Sequence, residues 1–332
     1  MTESPGPAKQ GALWSAIRWL SRQLFPVWVI VWINGLVLRL TVRDSVEFLA
    51  PLYYATPWPV LALLTLPFVA VVWRSPKMVL GVLVVVHLFG AAWILESWRT
   101  NEPAKGAADL RLVQWNVSRP WRRLPGTLDR VRNFDADIIM IAEPMPERWD
   151  LTPDEWDETE KKWLNAFPGY ETSFSSGNML AAVRGTVVST QSDELDKGSW
   201  YTLRELQIKG RSCRLLQLDI FAKPTNPRRP PLTALVELAN SLRDQPLVIV
   251  GDFNTPRDSA FIDPLRKHHH NAWEVAGIRG ADTWPWPLPV LSLDQVWAND
   301  LIKPLRCRTA GNWRSDHLWV EAEFVFTPDT RN

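Results

Sequence analysis

The sequence predicts an α/β fold, with strands and helices alternating in layers, preceded by about three membrane-spanning helices. Three observations predict it. The first 100 of the 332 residues carry only eight Lys/Arg and four Asp/Glu, and hold three long apolar runs. Beyond them, short apolar strand-like runs alternate with amphipathic helix-like ones. The ends of those short runs carry Asn, Asp, Glu and His.

The apolar runs are Leu24 to Leu40, Phe48 to Trp73 and Met78 to Leu95. A bilayer core of roughly 30 Å needs about 20 apolar residues in a helix, which the second and third supply. The first is interrupted by Asn34 and Arg39, but Arg39 stands at its end, where it can reach the interface. A buried helical hairpin in a soluble protein would explain one such run less strangely than three with flanking Trp. A cleaved signal peptide fits poorly, because the run starts late and "GLVLRLTVRD" offers no small-residue cleavage site. Lys9, Arg18, Arg22, Arg74 and Lys77 fall on one side; Arg39, Arg43, Arg99 and Lys105 fall on the other. This bias places the N-terminus in the cytoplasm and residues 101 to 332 on the periplasmic or extracellular side of a cell (inner) membrane. His87, in mid-span, is expected to be neutral and bonded to a neighbouring helix. Cys213 and Cys307 could pair or stay as buried thiols.

The domain plan is a membrane region over 1–100, a linker over 101–107 and a globular domain over 108–332. In order, "LRLVQWNV" is a buried strand, "GTLDRVRNF" a short amphipathic helix, and "ADIIMIAEP" a second buried strand. Asp154 to Phe167 is a helix with Trp156, Trp163 and Leu164 inward. "NMLAAV", "WYTLRELQI" and "CRLLQLDIF" are consecutive strands. Leu232 to Leu242 is a helix, followed by strand Leu247 to Val250. "LSLDQVWA" and "HLWVEAEFVF" are the last strands. Residues 101 to 332 hold 29 Lys/Arg and 32 Asp/Glu, without the basic excess usual in a nucleic-acid binder. The loops carrying Arg228 and Arg229, and Arg119, Arg122 and Arg123, read as solvated, as does "HHH" at His268 to His270.

Asn116 ends the first strand and Glu143 follows the second. Asp219 lies near the end of another, Asp252 and Asn254 follow "LVIV", Asp294 sits in "LSLDQVW", and Asp316 and His317 open the last. Each alone suits a cap or turn. Together they suit phosphoester hydrolysis. Mg²⁺ (or Mn²⁺) prefers carboxylates, water and phosphate oxygens; Glu143 is the first candidate ligand and Asn116 its neighbour. An attacking water needs a carboxylate or imidazole to hold it, and the phosphate needs cations and donors. His317 is the one histidine in such a setting, and Asp294 or Asp316 could orient it.

"VQWNV", "ADIIMIAEP", "VGDFN", "LSLDQV" and "SDH", in this order over about residues 108 to 326, resemble the endonuclease/exonuclease/phosphatase family. The resemblance implies a four-layer α/β sandwich, two mixed β-sheets flanked by helices. It also implies a metal-dependent hydrolase of phosphoester bonds. Carried to matching positions, Glu143 is the main Mg²⁺ ligand and Asn116 supports it. Asp252 orients or activates water, Asn254 contacts phosphate, and His317 stabilises phosphoryl charge or acts as base, with Asp294 or Asp316 orienting it. Two departures follow. Asp219 stands where many members have His, and would bind a second cation, stay protonated or mark reduced activity, with Lys223 as a replacement cation. Gln295 stands where His is common. Trp284 and Trp286, between prolines, either form an exposed lip that touches substrate or pack on the sheet edge. The expected partners are a phosphoester substrate (lipid head group, nucleic acid or small phosphoester) and the lipid bilayer, with no protein partner inferred. The alternative is a catalytically weakened or inactive membrane-bound binding protein that keeps the fold.

Overall fold

The computed structural model describes residues 7–100 and 106–327, together with the side chains of 23–100 and 106–327 except those of 121 and 148. The N-terminal region is helical: α1 (Pro7–Leu40), α2 (Ala50–Ala55), α3 (Trp58–Thr65), α4 (Phe68–Val72) and α5 (Pro76–Ser97). Gln23–Leu40 of α1 and the whole of α5 are long and apolar enough to cross a membrane. The 22 residues of α5 reach about 33 Å at 1.5 Å per residue. The middle run is not one straight helix. Glu47–Ala55 and Trp58–Val72 meet at 67°, so the region offers two spans, or three if the bent pair is one. The break falls at "TPWP", where prolines at 57 and 59 cannot continue the α2 ladder. Leu24, Ile30, Val37, Leu80, Leu83 and Leu95 point outward, the reverse of a soluble bundle. His87 bonds the Leu83 carbonyl of its own helix, not a neighbouring one.

The rest is a sandwich. An eight-stranded sheet has the order β1-β11-β13-β14-β2-β3-β5-β4 and a six-stranded sheet the order β10-β12-β9-β8-β7-β6. The strands are β1 (Trp98–Thr100), β2 (Leu110–Asn116), β3 (Ile138–Ala142), β4 (Glu171–Ser175), β5 (Met179–Val183), β6 (Thr186–Asp196) and β7 (Ser199–Ile208). They continue with β8 (Arg211–Asp219), β9 (Leu247–Asp252), β10 (His269–Asn271), β11 (Gly277–Gly280), β12 (Asp294–Asn299), β13 (Ile302–Ala310) and β14 (Trp319–Phe326). Pairs β2–β3, β8–β9 and β11–β13 are parallel and the others antiparallel.

Side chains alternate across each strand, and the cores follow that alternation. Leu110, Leu112, Ile138, Met140, Leu215, Val248, Val250 and Val296 meet between the sheets. The opposite face of the large sheet presents Trp115, Ile139 and Ile141 to helices α6 (Leu124–Val131) and α7 (Pro153–Leu164). The opposite face of the small sheet presents Leu216, Ile249 and Trp297 to α8 (Arg229–Ser241). Helix, sheet, sheet, helix are the four layers. Cys213 and Cys307 are free and buried.

The proposed linker falls largely on 101–105, outside the described residues; before it, α5 runs straight into β1, which pairs with the short β11 (Ala272–Ala276, α9, precedes it). One sequence expectation changes here: Arg228 is not a solvated loop cation. Arg228 is buried and donates to the carbonyls of Phe221, Ala222 and Asn254, while exposed Arg229 pairs with Glu47.

Candidate active site

Alternation also explains where the polar residues point. Asn116 shares its strand face with Leu110 and Leu112, Asp219 with Leu215, Asp252 with Val248 and Val250, and Asp294 with Val296. All four therefore enter the space between the sheets, at the end where the apolar filling stops. Register completes the arrangement: Asp252 lies opposite Asp219 on one side and Asp294 on the other. Three carboxylates form one row across three strands. Like charges so placed repel, and something must offset them.

Asn116 spans the two sheets. Its Nδ2 donates to Asp252 Oδ2 at 2.9 Å and to Glu143 Oε1 at 3.2 Å. His317 reaches the row from the chain just before β14, its Nδ1 2.7 Å from Asp294 Oδ2. Its backbone is held at both ends: His317 N–H donates to Ser315 Oγ, and its carbonyl accepts from Trp115 Nε1. Ser315 Oγ in turn donates to the Asn116 carbonyl. Asp316 does not face the imidazole ring in this way; its Oδ2 accepts from Trp284 Nε1 at 3.1 Å. Among the described residues, one carboxyl oxygen each of Asp294 and Asp316 is buried without a hydrogen-bond partner. Asp252, Asp294 and His317 place ligand atoms within 4.8 Å of one another, a spacing that could hold a metal ion. A cluster of buried carboxylate oxygens with an orphaned lone pair fits a hard divalent cation.

Backbone strain concentrates here. Ser118, Arg119, Glu143 and Asn254 have φ between 44° and 53°, half of the eight non-glycine residues in the left-handed region among those described. Such conformations cost of order 1–3 kcal/mol each and gather where geometry is functional. The turn at Ser118–Arg119 swings Arg119 over Glu143, with Nε 3.4 Å from Oε2, and also pairs it with Glu147. Arg119 is thus the cation beside the cluster, which the sequence reading missed; two positive φ angles are not visible in residue types. Exposed Lys223, expected in that role, makes no side-chain contact with the cluster among the described residues. Asn254 is used locally: its N–H donates to Asp252 Oδ1 and its Nδ2 to the Ile220 carbonyl. Gln295 points to the opposite face from Asp294, where it bonds the carbonyls of Thr255 and Ser292 and accepts from Trp297 Nε1. It sews a loop together and takes no place in the cleft. Trp284 and Trp286 are half-buried.

Electrostatics follow from burial plus like charge. Burial, then Asp252 and Glu143, push the Asp219 carboxyl well above the usual range. Burial and Asp294 raise Asp252, against the pull of His317 and Asn116. Burial pulls the His317 imidazole down, but Asp294, then Asp252 and Asp316, outweigh it and push it up to about 10. The imidazole is therefore a cation at neutral pH.

The comparisons bear on the fold and the family. A search of curated proteins finds no match. Among solved structures, a family protein from Bacteroides thetaiotaomicron aligns with a TM-score of 0.54 at 15% identity, over 66% of this chain and 98% of that one. A mannosyl-6-phosphatase from Bacteroides thetaiotaomicron VPI-5482 aligns at 0.52 and 14%, over 65% and 100%. The human Nocturnin catalytic domain with bound sulfate aligns at 0.50 and 17%, over 66% and 94%. At such identities these structures share the fold. The model of the Endonuclease/Exonuclease/phosphatase family matches residues 113–317, from the strand that carries Asn116 to His317 itself and well over half of the chain, so the protein belongs to that family.

Proposed function

We propose that the protein is a Mg²⁺-dependent phosphoesterase, held to a cell membrane by its N-terminal helices with the sandwich on the periplasmic or extracellular side. One observation carries the catalytic part. Glu143, Asp252, Asp294 and His317 converge on one cleft through Asn116, with more buried negative charge than His317 and Arg119 can balance. Such a deficit suits a bound cation and a phosphate between them.

Mg²⁺ (or Mn²⁺) would be held by Glu143 with Asn116 at its side, and when bound it neutralises charge on phosphate oxygens. The chain's own groups do the rest. Asp252 holds the attacking water and takes its proton; its raised pKa makes it a better base than an ordinary carboxylate. His317, cationic and aimed by Asp294, donates to a phosphate oxygen as charge builds. Its raised pKa makes it a poor base. Asn254 fixes the turn that presents Asp252, and phosphate contact is its second proposed role. Asp219, pushed toward its protonated form by burial, Asp252 and Glu143, would then repel the phosphate less than an ordinary carboxylate, which weakens the main argument for an inactive binding protein.

The full chain in detergent, given bis(p-nitrophenyl) phosphate and Mg²⁺, should turn over and should stop with EDTA. A wild-type protein that leaves every phosphoester intact would return the reading to a binding role.

A further inference from the structure

The loop from Asp282 to Ser292 has both feet on the N-terminal helices. Asp282 accepts from Trp93 Nε1 at 2.8 Å and from Ser97 Oγ at 3.3 Å. Val290, Leu291 and Ser292 line a small cavity with Pro57, Trp58 and Trp93. Between these feet the loop crosses the catalytic cleft, where Trp284 Nε1 and Trp286 N–H both donate to Asp316 beside His317. Leu288, near its tip, is 78% exposed. Trp286 packs edge-on against Trp313, which is 74% exposed and four residues before His317. Phe221, two residues past Asp219, and Trp149, six past Glu143, are exposed as well. Four of the eight exposed large apolar side chains described in the sandwich thus lie on the loop across the cleft or within a few residues of a cleft residue. Cations share this region: Arg122 and Arg123 are exposed on the loop after Asn116, and the guanidinium of exposed Arg314 lies against Gly126 of the next helix.

Exposed Leu and Trp with interspersed Arg, on a domain whose total charge is negative, is the composition of a surface that settles into an anionic bilayer interface. The helices fix which surface it meets. Arg39 and Tyr53, at the ends of α1 and α2, bond Asp258, only six residues from Asp252. The catalytic loop and the helix ends lie on the same side of the sandwich.

We propose that this rim sits in the bilayer interface and that the substrate is a phosphoester carried by a lipid whose acyl chains stay in the leaflet. The lip of Trp286, Leu288 and Trp313 occupies the acyl–headgroup boundary, and the phosphate enters beneath it toward Asp252 and His317. The proposal rests on the phosphoesterase reading.

The test uses the full chain in proteoliposomes of phosphatidylethanolamine and phosphatidylglycerol. Leu288→Cys is labelled with the polarity-sensitive dye NBD; Cys213 and Cys307, buried and with thiols pushed up to about 12, do not compete. The expected emission shifts to shorter wavelength and is quenched by doxyl lipid, while a label at Val188→Cys on exposed β6 stays aqueous. Turnover is measured on the vesicle phospholipids and on soluble bis(p-nitrophenyl) phosphate. Leu288→Ser or Trp313→Ser should lower the ratio of lipid to soluble turnover at least about tenfold, the scale of one interfacial apolar side chain. A water-exposed Leu288 label, or an unchanged ratio, with the soluble diester still hydrolysed, overturns this inference alone. Hydrolysis of neither substrate overturns the phosphoesterase reading, and the inference with it.

Discussion

The protein buries charge in two places, and the two are built oppositely. At the junction between helices and sandwich, most carboxylates meet a cation or several donors, although Glu96 lies against Asp258. Asp258 accepts from Arg39 Nη1 at 3.0 Å and from the Tyr53 hydroxyl. Asp44, fully buried, accepts from the Tyr54 hydroxyl, Ser259 Oγ and the Ala260 N–H. Arg43 pairs with Asp263 and Arg257 with Glu274. Burial would raise Asp258, yet Arg39 and Tyr53 hold it below the usual carboxylate range. In the cleft the ledger does not close: a row of three Asp, with Glu143 beside it, faces one imidazole and one half-exposed guanidinium, and Asp294 keeps an orphaned oxygen. The better-paired cluster suits holding structure together, and the charge-rich one suits the ligand proposed for it.

Four measurements would break or sharpen that contrast. The largest effect is catalytic. Glu143→Ala and His317→Ala should each lower turnover by at least about 10²-fold. Without metal, Glu143→Ala should leave the melting temperature level or higher, because it removes repulsion; a marked fall would make the cleft a structural cluster like the other. Next comes the junction. Asp258→Ala should destabilise by about 2 kcal/mol, less than a fully buried pair because Asp258 is a quarter exposed, seen as a lower melting temperature in detergent. No change there would remove the distinction from the other side.

The third effect is pH dependence. Because Asp252 is raised, kcat/KM should fall on acidification earlier than an ordinary Asp would allow, as the water-holding carboxylate is lost. The His317 cation persists until about pH 10. Its folded pKa lies above an unfolded value near 6.5, so its stabilising contribution is complete below about pH 6.5 and is lost as pH rises through about 10. His317→Gln should erase that alkaline loss in a melting series. The smallest effect is Asp219→Asn, which mimics the neutral acid and should change turnover by less than about tenfold. A collapse of activity would mean Asp219 works ionised.

The sequence and the structure part company where backbone geometry decides. Buried strands were legible because β3 and the start of β9 are continuous apolar runs and β2 and β8 are rich in Leu, Val and Trp, and the cleft residues were legible because each ends or begins such a strand. Strand β6 was not, since nine of its eleven residues are polar or exposed and only pairing with β7 makes it a strand. Nor was β13, whose Pro304 sits at an irregularity in the ladder. Arg119 was read as solvated because its role depends on a left-handed turn. His269 was read as surface for the opposite reason: within "HHH" one ring is drawn fully inside by β10, where burial lowers it to about 4. The junction partners were invisible because Arg39 and Asp258 are 219 positions apart, and no local pattern links them.

The passage of α5 into β1 without an intervening swivel bears on kinetics. An enzyme on a slack tether samples a volume and meets substrates from solution at any angle. One clamped at its root, with its first strand stitched to Ile278–Gly280, would present a single attitude to whatever plane the helices occupy. Under the lipid-substrate proposal, encounters would become a search in two dimensions, governed by how fast molecules drift sideways past a stationary mouth.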